Sequence, residues 1–248
     1  MQVIEFGTQY REILMLLHGG GLSWWNYRTQ AELLADRYHV VLPVLDGHAG
    51  ADAPFAGIAE NADRIIEYIA TAYGGSVRLL GGLSLGAQIV LEILSKRPDV
   101  CKYAVVESAC TIASPVTGAL IGPVFSAVYP LIGKKWFAGM QMRALRIRED
   151  LFDDYFRDSS AIRKDDIIAF LRANTAYEPR PDLKNCLTRT RIIVGAKERQ
   201  KMRRSARLLH DLLPNSVLEV KTGLYHGEYS INRPERYVRE LLAAITPD

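Results

Sequence analysis

Six short runs of the chain are continuously apolar, and they constrain the fold more than any other feature. They are EILMLLHG (12–19), YHVVLPVL (38–45), VRLLGGLS (77–84), KYAVVES (102–108), RIIVGA (191–196) and SVLEVK (216–221). A strand with one wet face alternates apolar and polar residues. A strand buried on both faces does not, and that is the habit of a parallel sheet held between helices. The connecting segments supply the helices. NYRTQAELLADR places Leu33 and Leu34 together, and Ile58, Ala62, Ile65, Ile66 and Ile69 recur at helical spacing before a stop at Gly74. AQIVLEILSKRPD ends before Pro98, while KMRRSARLLHDLLPN and RPERYVRELLAAI complete the set. Alternating strand and helix predicts an α/β fold with a doubly wound, mostly parallel sheet.

One interval breaks the alternation. Residues 109–187 show no clear strand and read as several helices. An insertion of that kind between two strands of one sheet is expected to form a helical cap over a sheet end. The expected organisation is therefore a core from 1–108 and 188–248, with a cap from 109–187. No internal repeat or low-complexity linker interrupts it.

Composition narrows the function classes. The 248 residues are 48% hydrophobic, enough for one large core, and the net charge of +3 comes from interspersed charges of both signs. That distribution argues against a nucleic-acid surface, which concentrates its basic residues. The locally basic stretch 134–148 reads as a solvated helix face. Cys101, Cys110 and Cys186 are odd in number and lack zinc-site spacing, so a reduced, cytoplasmic protein is expected. The start MQVIEFGTQYREI lacks the apolar core of a secretory signal. The most apolar segment, 118–133, is short for a membrane span and contains Pro123 and Pro130.

The pentad Gly82-Leu83-Ser84-Leu85-Gly86 sits where a buried strand meets a helix. A G-x-S-x-G match arises by chance in roughly a tenth of chains this long, so the context carries the argument. A sharp strand-to-helix turn lifts the central serine out of the sheet, and small residues two positions away let the chain fold back. The competing reading is that Ser84 only caps a helix.

A serine nucleophile needs a base, and His226 in TGLYHGEYS follows the last predicted strand. His39 begins a strand, His210 lies on an amphipathic helix, and His48 in DGHAG is a weaker competitor. The base needs an orienting carboxylate. Glu198, after RIIVG, is the first candidate, and Glu107, at the end of KYAVVES, is its rival. Lys197 and Arg199 beside Glu198 favour its ionised form. An oxyanion hole requires two amides: Leu85, after the serine, and one from the glycine loop of LLHGGGLSWW, with Gly20 first and Gly21 next. No lysine-serine or lysine-threonine pair follows the glycines, so a phosphate-binding P-loop is not supported.

With HGGG (18–21), GLSLG (82–86), VGAKE (194–198), YHGEY (225–229) and LPVLDGHAG (42–50) in view, the chain resembles the α/β-hydrolase superfamily, esterase and lipase members in particular. The order Ser, acid, His matches as well. The resemblance covers nearly the whole chain apart from the cap. It implies Ser84 as nucleophile, His226 as general base and Glu198 as orienting acid. The family's acid is more often Asp, and here a basic run follows it.

The expected chemistry is hydrolysis of small, fairly apolar carboxylic esters, lactones or thioesters through an acyl-enzyme, with no cofactor and no metal. Gly21, Trp24 and Trp25 are expected to contact substrate. The cap aromatics Phe125, Tyr129, Trp136 and Phe137 either line an acyl pocket or pack the cap. The fold also hosts lyases, acyltransferases and small-molecule receptors. A covalent acyl-Ser84 adduct separates the hydrolase from a lyase, and tight binding with very slow turnover marks a receptor. Cap and edge strands both offer contacts for a homodimer.

Overall fold

The computed structural model describes residues 1–245. Its centre is a seven-stranded sheet in the order β1-β3-β2-β4-β5-β6-β7. The strands are β1 (Val3–Phe6), β2 (Ile13–Leu17), β3 (His39–Pro43), β4 (Val77–Leu83), β5 (Cys101–Glu107), β6 (Arg189–Gly195) and β7 (Ser216–Lys221). All six predicted strands form, and their neighbours pair in parallel. β1 is the addition: a four-residue edge strand, antiparallel to β3.

Burial explains the apolar runs. All five residues of β2 are buried, Leu14 and Leu16 toward one face and Met15 and Leu17 toward the other. α2 (Ile58–Tyr73), α3 (Leu85–Lys96) and α8 (Gln200–Leu212) cover the face carrying Met15, through Ile65, Ile89 and Leu209 among others. α1 (Arg28–Leu34) and α10 (Pro234–Ile245) cover the opposite face, through Leu34 and Leu241. α2 ends where expected, with Gly74 left-handed at φ 68° and its amide bonded back to Ile69.

Between β5 and β6 the described residues form helices and turns with no strand. α4 (Pro115–Val128) packs on α7 (Lys164–Ala176), and α5 (Lys135–Leu145) packs on α6 (Phe152–Ala161). The apolar segment 118–133 becomes α4, with Pro123 inside it, followed by a short 3-10 turn at Tyr129–Leu131. No helix among the described residues is long and apolar enough to cross a membrane.

The parallel sheet decides where chemistry can gather. The carboxyl ends of β4, β5, β6 and β7 lie side by side along one edge. The next residues of the chain there are Ser84, Ser108, the turn carrying Glu198, and the turn carrying His226.

Candidate active site

Ser84 is the single residue between β4 and α3, and its backbone is left-handed, at φ 52° and ψ −110°. A non-glycine residue held there costs about 1–3 kcal/mol, so its surroundings must over-determine it. They do. The Ser84 amide donates to the carbonyl of Glu107 (2.8 Å), and its carbonyl accepts the first helical bond, from Gln88 (3.0 Å). The two glycines of the pentad permit the turn. A Cβ on Gly82 would lie 2.4 Å from the Gly86 carbonyl carbon, and one on Gly86 would lie 2.3 Å from the Leu17 oxygen. Ser84 occupies the capping position of α3, yet its side chain makes no cap bond. Its Oγ instead lies 3.1 Å from His226 Nε2, which removes the reading as a simple cap.

His226 Nδ1 lies 2.9 Å from Glu198 Oε2. The other oxygen of Glu198 accepts from the Ser108 hydroxyl and the Gly195 amide, both at 2.7 Å. Burial alone would raise the Glu198 carboxyl. The hydrogen bond and charge of His226, with the Gly195 and Ser108 donors, outweigh it and hold the group below the usual carboxylate range. An ionised Glu198 only accepts, so Nδ1 carries the proton and Nε2 presents its lone pair to the Ser84 hydroxyl. Ser108 matches Ser84 in strain: it is left-handed at φ 54°, directly after β5.

Glu107, the rival acid, does not reach His226. It is 1% exposed, its Oε1 accepts from the Ser230 amide at 3.2 Å, and its Oε2 has no partner among the described residues. Burial pushes its carboxyl up to about 8. Between 4.5 and about 8 the folded protein keeps a proton that the unfolded chain has released, so stability is lost as pH rises through that window. Burial acts oppositely on His48, lowering it from 6.5 to about 4, so stability is also lost as pH falls through that range. Thermal melts from pH 4 to 9 should therefore peak at intermediate pH. Glu107→Gln should remove the alkaline limb, raising Tm at pH 9 by roughly 5 °C or more. A parent protein whose Tm is flat from pH 6 to 9 would contradict this.

Two buried histidines hold the glycine loop. His18 Nδ1–H donates to the Gly19 carbonyl (2.9 Å), while its Nε2 accepts from the Leu45 amide (3.1 Å). His48 Nδ1–H donates to the Asp46 carbonyl (3.0 Å), and its Nε2 accepts from the Gly21 amide (3.0 Å). Burial also holds His18 well below its ordinary value, so both rings stay neutral, as their acceptor roles require. The Gly19 amide is taken by Asn26 Oδ1 at 3.3 Å. That leaves Gly20, whose amide has no partner among the described residues, as does the amide of Leu85. With Gly21 bonded to His48, Gly20 is the better donor of the two considered. The same bond removes His48 as a competing base. His39 pairs with Glu5, and His210 lies 2.9 Å from Ser216 Oγ, so neither approaches Ser84.

A cavity of about 160 Å³ opens over Ser84 and is bordered by Gly20 and His226. Its apolar wall is Leu22, Leu83, Leu145, Ile147 and Ile231. The expected substrate contacts Gly21, Trp24 and Trp25 do not border it. Trp25 is 1% exposed because the 3-10 turn Trp24–Tyr27 points it into the core, where its indole N–H donates to Asp158 at 2.8 Å. Trp24 stacks beneath the Arg28 guanidinium (4.7 Å) and near Phe6. The cap aromatics do not border it either: Phe137 is buried, Tyr129 donates to the Ile162 carbonyl, and Trp136 is 62% exposed. Ser108, Leu145, Ile147 and Ile231 had no signal in the sequence that tied them to the serine, whereas His18, Leu22 and Leu83 stand within or beside the motifs without a role of their own being expected. Among the described residues no three His, Cys, Asp or Glu cluster to hold a metal ion.

Residues 14–240 match the sequence pattern of the alpha/beta hydrolase family. The chain belongs to the alpha/beta hydrolase family. No curated protein matches the chain. Solved alpha/beta hydrolase structures do. A thermophilic esterase from Thermogutta terrifontis superposes with a TM-score of 0.81 at 18% identity, covering 99% of this chain and 94% of that one. An esterase from Exiguobacterium antarcticum gives 0.80 at 19% identity, covering 98% and 94%. An enol-lactonase from Burkholderia xenovorans LB400 gives 0.79 at 16% identity, covering 99% and 96%. At these identities the likeness is one of fold, and the chemistry of this alpha/beta hydrolase has to be argued from its own residues.

Proposed function

We propose that the protein is a serine hydrolase that cleaves carboxylic esters, lactones or thioesters carrying a small, fairly apolar acyl group. The observation that carries this reading is the relay Glu198–His226–Ser84, with bonds of 2.9 and 3.1 Å, beside two amides without partners. In this reading Ser84 Oγ attacks the acyl carbonyl as His226 Nε2 takes its proton. Glu198 holds the imidazole tautomer and stabilises the imidazolium. The oxyanion is received by the Gly20 and Leu85 amides, fixed before the reaction begins and so needing no reorganisation. His226 protonates the leaving alcohol and then activates water to release the acid and restore Ser84. The 160 Å³ cavity suits a short acyl chain. The segment 109–187 serves as its cap, supplying Leu145 from the end of α5 and Ile147 from the loop that follows.

A fluorophosphonate probe tests this directly. It should label the protein stoichiometrically, and peptide mass spectrometry should place the adduct on Ser84. A p-nitrophenyl ester panel should then favour acetate to butyrate over octanoate. Absence of labelling, or an adduct elsewhere, would sink the reading.

A further inference from the structure

His226 borders two cavities. The smaller one is bordered by Ser84 and Gly20; the other, about 510 Å³, is bordered by Leu145, Arg146, Lys197, Arg199 and Tyr225. Both have largely apolar walls, the second from Ala144, Leu145, Met202 and Tyr225, but the second also carries three exposed cations. Among the described residues none of Arg146, Lys197 and Arg199 has a carboxylate within 4.0 Å, so their charge is not neutralised by a bound acid of the chain. Glu198 borders the same space, but its side chain is 0% exposed and its oxygens are spent on His226, Ser108 and Gly195. Of the other acids close in sequence, Glu228 accepts from the Tyr225 amide at 2.6 Å and Asp150 pairs with Arg148 at 3.0 Å.

Two of the cations are also held in place. Arg146 lies 3.7 Å from the Tyr225 ring centroid and Lys197 lies 5.4 Å from it, so one aromatic ring gathers two positive charges. Arg146 ends α5 in the left-handed conformation, φ 56°, where a helix terminus favours glycine or asparagine. An arginine at such a position is strained, and its side chain is what the position presents. Leu145, just before it, borders both cavities and joins them.

Direction follows from the chemistry. His226 Nε2 hands its proton to the leaving oxygen, so that oxygen lies beside Ser84, and the far end of the leaving group can pass Leu145, which borders both cavities, into the cationic one. The acyl group stays with Ser84 and Gly20. Resting on the serine-hydrolase reading above, we propose that the leaving alcohol of the substrate carries an oxyanionic group, a carboxylate or a phosphate, seated by Arg146, Lys197 and Arg199. The reaction releases a short apolar acid and an anionic alcohol.

The test compares three butyrate esters: 4-butyryloxybenzoate, 4-butyryloxyphenyl phosphate and the neutral methyl 4-butyryloxybenzoate. Each kcat/KM is divided by the ester's spontaneous hydrolysis rate. At least one anionic ester should exceed the neutral one by about tenfold at low ionic strength, and the advantage should shrink several-fold in about 0.5 M salt, because exposed charges are screened. The favoured anion distinguishes carboxylate from phosphate. The ratio of anionic to neutral kcat/KM should fall to about one or below in Arg146→Glu/Lys197→Glu, and Arg146→Gln/Lys197→Gln should move it the same way if the first variant folds poorly. Esters hydrolysed alike, or a ratio that ignores these substitutions, would overturn the proposal. If no ester is hydrolysed, the hydrolase reading fails instead. Calorimetry on the Ser84→Ala protein then still decides the tail site: 4-hydroxybenzoate or 4-hydroxyphenyl phosphate must bind more tightly than methyl 4-hydroxybenzoate, and equal binding overturns it.

Discussion

Ser84→Ala should cost about 10⁴-fold or more in kcat on any ester the protein hydrolyses. The substitution removes the hydroxyl oxygen placed 3.1 Å from His226 Nε2 and leaves the amides of Gly20 and Leu85 intact. What survives should be the modest acceleration that binding and oxyanion stabilisation give without a nucleophile. Folding should be little affected. The Oγ takes no part in capping α3, and the backbone bonds to Glu107 and Gln88 do not involve it. Alanine is as strained as serine at φ 52°, so the strain cancels in the comparison. Matching melts with a rate within tenfold of the parent would contradict this account.

Glu198→Gln should cost about 10³–10⁴-fold in kcat, and the reason lies in the donors around it. The Oε1 corner is fixed by the Gly195 amide, which can only donate, and by the Ser108 hydroxyl, which donates there as well. A glutamine must turn its carbonyl to them and its NH₂ to His226. The imidazole then has to accept at Nδ1, which puts its proton on Nε2, facing Ser84, where a lone pair is needed. The substituted enzyme keeps its shape and loses its base. Glu107→Gln should keep kcat within about threefold, since that side chain touches neither His226 nor Ser84 and a neutral amide resembles the protonated acid. Steady-state rates of both variants near neutral pH check the pair. The reverse pattern would transfer the acid's role to Glu107.

That contrast also marks where the sequence stops being informative. Glu107 and Glu198 follow adjacent parallel strands and end near the same edge. No periodicity separates them. What does is a backbone detail, the left-handed Ser108, together with the tight turn that returns Glu198 toward the Gly195 amide. The buried strands were legible because both faces are covered. β1 was not, because Val3–Phe6 is a short edge strand, partly exposed, with Glu5 in its middle. That Ser84, His226 and Gly20 meet at one sheet edge was legible because each follows a recognisable strand. The walls of the cavity were not: Leu22, Ile147 and Ile231 come from segments that meet only in three dimensions. Trp25 misled for a related reason. An aromatic residue beside a glycine loop suggests a pocket, but the 3-10 turn that follows points it under the sheet.

The order of the strands has a consequence for synthesis. The strained Ser84 and the two amides proposed to receive the oxyanion, Gly20 and Leu85, lie within the first 85 residues, and β4 sits between β2 and β5 in the sheet. The proposed acid and base, Glu198 and His226, come after the helical segment, from the turns behind β6 and β7, and His226 lies 142 residues beyond Ser84. A nascent chain emerging from the ribosome therefore builds its elbow and glycine loop long before it owns a base. Folding along such long-range pairings is slow. The reactive centre closes only when the last strands join the sheet, so an incomplete chain carries an inert hydroxyl, and reactivity toward electrophiles reports that the molecule is finished.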